Sequence, residues 1–372
     1  MSRILHVLND LDVGGVQTWL RQALPLAHQR GWQLDVAVTM RGRGDLAPEF
    51  AREGARIFEC PGPSRPFEFL HTLTDVLRRE GPFEVVHSHF DPVALPLIAA
   101  RRADVPVRVA HSHRGCRELR TMPGPVRRLA APFLQRLIDR HATLKVACSD
   151  TAAVAVFGKD AEASGQVHRF RLGLDLDRLS DSGSRYPAGM TTGSPTILHV
   201  GRLSHEKNHR FLLRIFGEIR ARWPGARLWI VGDGPMAGLL QATVDSMGLA
   251  GAVEFLGVRQ DLGVIYRAAD VFVMPSRVEG LPLAAIEAQA TGLPCVFSST
   301  ITREVTICRD LVRWLDLETP ADAWADAVLG MLGRPRRDRR AQVVEAGFGM
   351  VSSMAALARI YRTAAGRGRA SA

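Results

Sequence analysis

Short apolar, β-branched runs alternate with longer stretches of helical spacing from the first residues of the chain. Runs at 4–8, 34–39, 85–87, 107–110 and 145–148 are predicted strands, and the spacing over 16–30, 66–79 and 91–102 predicts helices between them. The alternation restarts with runs at 196–200, 227–231, 253–256, 271–274 and 294–298. Between the halves lies a polar stretch rich in Gly and Ser. Alternating strand and helix implies parallel sheets, so the expected fold class is α/β with two doubly wound domains. The boundaries are placed at 1–178 for the first domain, 179–195 for the linker and 196–345 for the second domain. Residues 346–372 form a C-terminal helix and tail expected to pack back toward the first domain. Ligands of such folds bind outside the carboxyl ends of the strands, so a cleft between the two sheets is the expected site.

Composition narrows the class. A length of 372 residues suits two cores better than one. A mean hydropathy of zero with mixed charge excludes a disordered chain. No apolar run approaches the roughly 18 residues of a membrane-spanning helix. Strand-like sequence begins at Arg3-Ile4-Leu5, so a charged segment followed by a cleavable apolar run is not expected there. Five scattered cysteines without a C-x-x-C argue for a reducing cytoplasm and against structural zinc.

The net charge of +10 is uneven. Residues 101–145 hold eleven basic against three acidic residues, so eight of the ten net charges lie there. Within this stretch Val126, Leu129, Phe133, Leu137 and Ile138 recur at helical spacing, with Arg127, Arg128, Arg136 and Arg140 around them. Two readings follow: a core-facing helix with a solvated basic face, or a surface for an anionic partner such as a membrane. A nucleic-acid-binding protein would need aromatics interleaved with the basic stretch, and only Phe133 is there. A second cluster, Arg334, Arg336, Arg337, Arg339 and Arg340, reads as a solvated linker.

Chemistry concentrates in loops that follow strands. Gly14-Gly15 lies between the first strand and a helix, where backbone amides can approach an anion. After the 196–200 strand come Gly201, Arg202 and Lys207. Two cations at one strand end suit two phosphates, or acids nearby, and Lys207 is one of only three lysines in the chain. In the segment 275–289, Pro282 fits a helix start, placing Glu279 in the preceding loop and Glu287 inside the helix. A continuous helix would put them about 12 Å apart, beyond the roughly 5–9.5 Å of a glycoside-hydrolysing pair. Two carboxylates on different parts of one elongated ligand fit better. His87/His89 and His111/His113 stand at two strands' carboxyl ends; metal ligation is the lesser reading, and hydrogen bonding to substrate at the sheet edge the favoured one. The D-x-D pairs at Asp10 and Asp175 carry no weight.

Together these elements resemble the family-four retaining glycosyltransferases of the GT-B fold, in which two Rossmann-like domains face each other across a cleft. The resemblance rests on Glu279 to Glu287 as an E-x7-E element after Val271-Phe-Val-Met-Pro-Ser276, on Val200-Gly-Arg-Leu203 with Lys207-Asn208, on Leu256-Gly-Val-Arg259 and on Gly14-Gly15. The stretch from Glu279 through Gly292-Leu-Pro-Cys to Thr302-Arg-Glu-Val305 is most similar to the EpsF-like exopolysaccharide and capsule branch. A departure is Leu172-Gly-Leu-Asp175, where the family has Asn-Gly-Ile-Asp.

The resemblance implies transfer of a hexose from a nucleotide-diphosphate sugar, UDP before GDP, to a saccharide or polyprenyl-diphosphate-linked acceptor. A nucleotide-sugar epimerase or a glycan phosphorylase of similar fold is the nearest rival. Arg202 and Lys207 would neutralise the diphosphate, Glu287 would take the ribose hydroxyls, and Glu279 with the amides of Gly280, Leu281 and Leu283 would hold the sugar. His111 would contact the sugar from the first domain, and Gly15 would approach the phosphate or sugar. Backbone at Val258-Arg259 would meet the base. No metal or other cofactor is implied, and no nucleic-acid partner. The expected place is the cytoplasm, peripheral on the inner membrane face through Arg127, Arg128, Arg136 and Arg140.

Overall fold

The computed structural model describes residues 2–39, 44–62, 64–89, 94–113, 124–180 and 194–370, with side chains undescribed at 124–129 and 365–370. The chain forms two compact units, Met1–Gly173 with Met350–Ala372, and Leu174–Gly349. These crossings lie a few residues from the boundaries read at 178 and 346. Leu174, Leu176 and Leu179 are buried in the core of the second unit, which draws the chain into it from Leu174 onward. Most of the Gly/Ser-rich linker, 181–193, lies outside the described residues.

The first unit is a seven-stranded sheet in which every pairing is parallel, ordered β3-β2-β1-β4-β5-β6-β7. The strands are β1 (Ser2–Leu8), β2 (Trp32–Val38), β3 (Ile57–Glu59), β4 (Val85–Ser88), β5 (Val107–Ser112), β6 (Leu144–Ala147) and β7 (Val167–Arg169). Alternation along each strand splits the core into two layers. Leu5, Val7 and Val86 face Phe69, Leu73 and Leu77 of the Pro66–Glu80 helix. His6 and His87 lie on the opposite face, where Trp19 of the Gly15–Gln29 helix edges against His6 at 6.3 Å. The C-terminal helix, Met350–Ala370, also covers this unit. Its buried residues Met350, Met354, Leu357, Ala358, Tyr361 and Ala364 follow one helical stripe. Ser353 pins it by accepting from the Gly173 amide at 3.0 Å and donating to the Arg171 carbonyl at 2.9 Å.

The second unit is a six-stranded parallel sheet ordered β10-β9-β8-β11-β12-β13. Its strands are β8 (Thr196–Val200), β9 (Arg227–Val231), β10 (Val253–Gly257), β11 (Val271–Met274), β12 (Cys295–Ser298) and β13 (Val312–Leu315). Ile197, Leu228, Val273 and Val296 serve one core layer, and Leu198, Trp229, Phe272 and Phe297 the other. In both sheets the strand order reverses at one place, between β1 and β4 and between β8 and β11.

The arginine cluster at 334–340 differs from its sequence reading. Arg336 donates to the carbonyls of Tyr266, Arg267 and Ala269 at 2.6–2.8 Å, capping the end of the Leu262–Ala268 helix. Arg334 donates to the Asp310 carbonyl, and Arg339 pairs with the Asp310 carboxylate at 2.5 Å. This cluster is therefore a staple and not a solvated linker, because orphan carbonyls at helix ends attract guanidinium donors. In the basic stretch Arg101 and Arg108 likewise donate to the Arg140 and His141 carbonyls at the end of the Gly124–His141 helix. Arg136 and Arg140 are exposed, and so is Phe133 at 63%. The side chains of Val126, Arg127, Arg128 and Leu129 lie outside the described residues.

Because the C-terminal helix completes the first unit's core, Leu357→Ala should destabilise that unit by about 2–5 kcal/mol and leave residues 174–349 unaffected. Urea titration followed by hydrogen exchange, resolved by unit, reads this directly. Equal loss in both units would contradict the assignment.

Candidate functional site

In the second unit the switch point gathers the charged residues. Gly201 follows β8, and the Lys207 side chain lies across it: a Cβ there would meet Lys207 Cε at 3.0 Å. Gly232, just after β9, has φ +126°, and a Cβ on it would strike the Gly201 carbonyl oxygen at 2.2 Å. Glycine at both positions thus lets two loop backbones and one lysine stack closely. Lys207 Nζ donates to Glu279 Oε1 at 2.6 Å, with side chains only 13% and 5% exposed. The loops after β8 and β11 are further tied by the Arg277 amide to the Glu206 carbonyl at 2.7 Å, and by Arg277 Nη2 to Asn208 Oδ1 at 3.1 Å. Two loops 72 residues apart in sequence therefore act as one structure.

The helix Leu283–Ala290 starts after Pro282, as its sequence predicts, and leaves backbone amides at its N-terminus beside Gly280 and Leu281. Glu287 is inside it and buried. Its carboxylate is paired with Arg178 and accepts the Tyr266 hydroxyl at 3.0 Å. Burial, then the Glu287 charge, pushes Tyr266 well above the usual phenol range, so it stays a donor. His199 and His209, behind the Lys207 loop, are pushed down to about 4 and about 2, first by burial. Both are neutral and add no charge beside Lys207. Arg202 and Val258 are exposed, and Arg259 grips Asp261 through two bonds of 2.7 and 2.5 Å.

In the first unit Gly14 caps the helix Gly15–Gln29, and the loop before it is organised by Asp10. Asp10 Oδ1 accepts from the Asp12 amide at 3.1 Å and from Gln17 Nε2 at 3.2 Å. Beside this loop the two H-x-H pairs meet, and His6 joins them by pairing directly with His87 in the sheet register. His6 Nδ1 shares a hydrogen bond with His89 Nε2 at 2.9 Å, and His89 Nδ1 with His113 Nε2 at 2.7 Å. A second series runs from Tyr361 Oη to His87 Nδ1 at 2.7 Å, and from His87 Nε2 to His111 Nδ1 at 2.9 Å. Burial is the first cause holding all of His6, His87, His89 and His111 below the ordinary imidazole range, His6 down to about 3.

Nitrogens of His6, His87 and His89, and of His89, His111 and His113, lie within 4.8 Å of one another. Metal ligation uses in-plane lone pairs that converge on one point. The first three rings lie within 12–24° of parallel, and the second three are tilted by 25–45°. As they stand the rings share protons in series, and they would have to turn to surround an ion.

The structure thus joins Gly201, Lys207 and Glu279 in one place. It pairs Glu287 with Arg178 and Tyr266 in the same unit, and it places Gly14, Gly15 and His111 in the first unit. Sequence reasoning missed His6, Arg178, Tyr266 and Tyr361. His6 carried one signal, a lone polar residue inside an apolar strand. The others carried none, since their partners lie 21–274 residues away.

Residues 194–334 match the family model described as "Glycosyl transferases group 1", and residues 14–170 match that of the "Glycosyl transferase 4-like domain". The chain is 32% identical over 371 residues to EpsF of Bacillus subtilis (strain 168), a protein named as a glycosyltransferase, covering 97% of this chain and 96% of that one. It is 28% identical to a D-inositol 3-phosphate glycosyltransferase of Mycobacterium bovis (strain BCG / Pasteur 1173P2), over 95% of this chain and 80% of that one. Its fold is similar to that of Anabaena Alr3699/HepE in complex with UDP-glucose, with a TM-score of 0.76 at 17% identity over 98% and 99% of the two chains.

The neutral histidines set an acid limit. Unfolding lets each take up a proton below about pH 6.5, which favours the unfolded chain by about 1.4 kcal/mol per pH unit and per group. Stability is therefore full above pH 6.5 and lost as pH falls. With four fully buried groups of this kind and the partly buried His141 in the first unit, against two in the second, the urea midpoint of the first should fall at least about twice as steeply from pH 7 to 5.5. Parallel decline of the two units would refute this.

Proposed function

The chain belongs to the group 1 glycosyltransferases, and on that premise we propose a retaining hexosyltransferase that uses a nucleoside-diphosphate sugar, UDP before GDP. The acceptor in this reading is a saccharide or a polyprenyl-diphosphate-linked saccharide of surface polysaccharide synthesis. The observation that carries it is the Lys207–Glu279 pair beside Gly201, at the place where the β8-β11 strand order reverses. Support for the nucleotide comes from the similar Anabaena protein, whose complex holds UDP-glucose. Support for the acceptor class comes from the likeness to EpsF.

The geometry suggests how the donor would enter. An incoming diphosphate offers Lys207 a stronger anion than Glu279 and draws on Arg202 as well. Glu279 is then released to hold hydroxyls of the sugar, with the amides near Gly280, Leu281 and Leu283. Glu287 faces a comparable exchange, its Arg178 contact giving way in part to ribose hydroxyls, while Val258-Arg259 backbone meets the base. In the front-face reaction the bond from the sugar C1 to the β-phosphate oxygen breaks. The acceptor oxygen bonds to C1 on the same face, and its proton passes to the leaving phosphate. Lys207 and Arg202 stabilise the charge that develops there, which is the work a metal ion would otherwise do. His111 and Gly15 would address the sugar and phosphate from the first unit.

Among the described residues no helix is long and apolar enough to cross a membrane. Peripheral attachment is proposed through the Gly124–His141 helix, on which Phe133, Arg136 and Arg140 are exposed. His141 is pushed down by burial and then by Arg101, Arg140, Arg108 and Arg102, which marks the local concentration of positive charge.

Lys207→Ala and Arg202→Ala should each lower turnover by about 100-fold or more. Glu279→Gln should lower transfer yet tighten free UDP by about threefold to tenfold, because Lys207 no longer has a competing carboxylate. Calorimetry with UDP and a coupled UDP-release assay separate the two, and in that assay EDTA should leave the rate unchanged. Weaker UDP binding by Glu279→Gln would place the diphosphate elsewhere.

A second test concerns the surface. Each basic side chain near an anionic membrane contributes on the order of 1 kcal/mol, screened by salt. Replacing Arg127, Arg128, Arg136 and Arg140 with Gln should abolish salt-sensitive co-sedimentation with anionic vesicles. Equal, negligible sedimentation of the unaltered chain with anionic and neutral vesicles would remove the membrane from this reading.

A further inference from the structure

The short turn Asp177–Leu179 presses against the Leu262–Ala268 helix of the second unit. Leu179 is buried, and its carbonyl accepts from Arg267 Nη1 at 2.6 Å. Gly263 makes the approach possible: a Cβ on it would meet the Arg178 carbonyl oxygen at 2.7 Å and Leu179 Cα at 3.0 Å. With its backbone fixed on this helix, Arg178 pairs through Nη2 with Glu287 Oε1, 109 residues away. Tyr266, from the same helix, meets the other carboxylate oxygen, Oε2, at 3.0 Å. One helix thus places both partners of Glu287. The three side chains also run from the interior to the surface. Tyr266 is fully buried, the Glu287 side chain is 6% exposed and that of Arg178 is 21% exposed. A ribose that reaches Glu287 from solvent comes against Arg178 on the way.

Expelling the guanidinium would trade a charge-assisted pair for a bond to a neutral hydroxyl and leave Arg178 unpaired, a net loss. Binding does not require it. A carboxylate offers about four acceptor positions, of which Arg178 and Tyr266 fill two. Arg178 Nε is buried without a hydrogen-bond partner, so the guanidinium has a donor left to give. A ribose hydroxyl both donates and accepts, and a carboxylate beside a guanidinium is the complement of both. We propose that Arg178 is a further nucleotide-binding residue: it remains beside Glu287 and donates to the oxygen of a ribose hydroxyl whose proton Glu287 accepts. The inference rests on the ribose contact proposed for Glu287. The pair then selects ribonucleotides over deoxyribonucleotides, because without that hydroxyl a donor and an acceptor both lose their partner.

Calorimetry of the full chain with UDP, 2′-deoxy-UDP and 3′-deoxy-UDP reads the selection, and GDP with its deoxy analogues takes their place if GDP binds tighter. The wild type should bind UDP at least about tenfold tighter than one of the two analogues. Arg178→Gln should weaken UDP by about tenfold and that analogue by less than about twofold, so that the preference nearly disappears. Arg178→Lys keeps a positive charge beside Glu287 but lacks the planar fork, and it should lower the same preference by about threefold. Circular dichroism and thermal melting check folding, and the Lys variant carries the test if Arg178→Gln does not fold. Were Arg178 only the counter-charge of Glu287, each replacement would weaken UDP and the analogue by one common factor. That result, or tighter UDP binding by Arg178→Gln, would overturn the proposal. Equal binding of UDP and both analogues by the wild type would remove the ribose from Glu287, and with it this role for Arg178. Binding of neither UDP nor GDP would instead overturn the donor reading itself, on which the role depends.

Discussion

Strands β1, β4, β5, β8 and β11 are buried on both faces, so a polar side chain on them must find a partner in the interior or stand at a strand end. Most of the molecule's chemistry follows from that constraint. Arg202, Lys207 and Glu279 come after the last residues of β8 and β11, where the chain leaves the sheet and backbone amides are free to turn outward. His6, His87 and His111 stand within the strands themselves, and they are tolerated because burial keeps them neutral and because three of their nitrogens bond to other imidazoles.

The central strands and long helices are legible in the sequence because their apolar runs are long enough to fix a period. The Pro66–Glu80 helix and strands β8, β9 and β11 fall within a residue of their predicted limits. Strands β3, β7 and β13 are not legible. They are three or four residues long, lie at or next to sheet edges and mix exposed polar residues with half-buried ones, which leaves no periodic signal. The Lys207–Glu279 region is legible because each residue has a local marker, a strand end for one and a proline-started helix for the other. Arg178 and Tyr361 have no such marker, because their meaning lies wholly in what the fold brings to them.

Each acidic residue argued to hold the donor is already neutralised. Glu279 is matched by Lys207, and Glu287 by Arg178 with Tyr266. A nearly buried carboxylate without such a partner would be costly and would protonate or rearrange. The pairs hold the side chains in place before a ligand arrives, and in the proposed reading the ligand would exchange one set of charge contacts for another. Such an exchange would moderate affinity and retain orientation. If the proposed donor reading holds, a nucleotide must leave after every transfer, and a site left with bare cations would hold it more tightly.

The C-terminal helix has a bearing on how the molecule is made. Its stripe from Met350 to Ala364 completes the core of a unit whose other residues end at Gly173, and the whole second unit lies between. On a ribosome, residues 174–349 are all present while the N-terminal sheet still lacks its last cover, including the tyrosine that meets His87. The second unit can therefore finish first, and the earliest part of the chain to be synthesised is the last to close. A product truncated before residue 350 would contain the whole second unit together with an N-terminal sheet whose apolar face lacks its last cover.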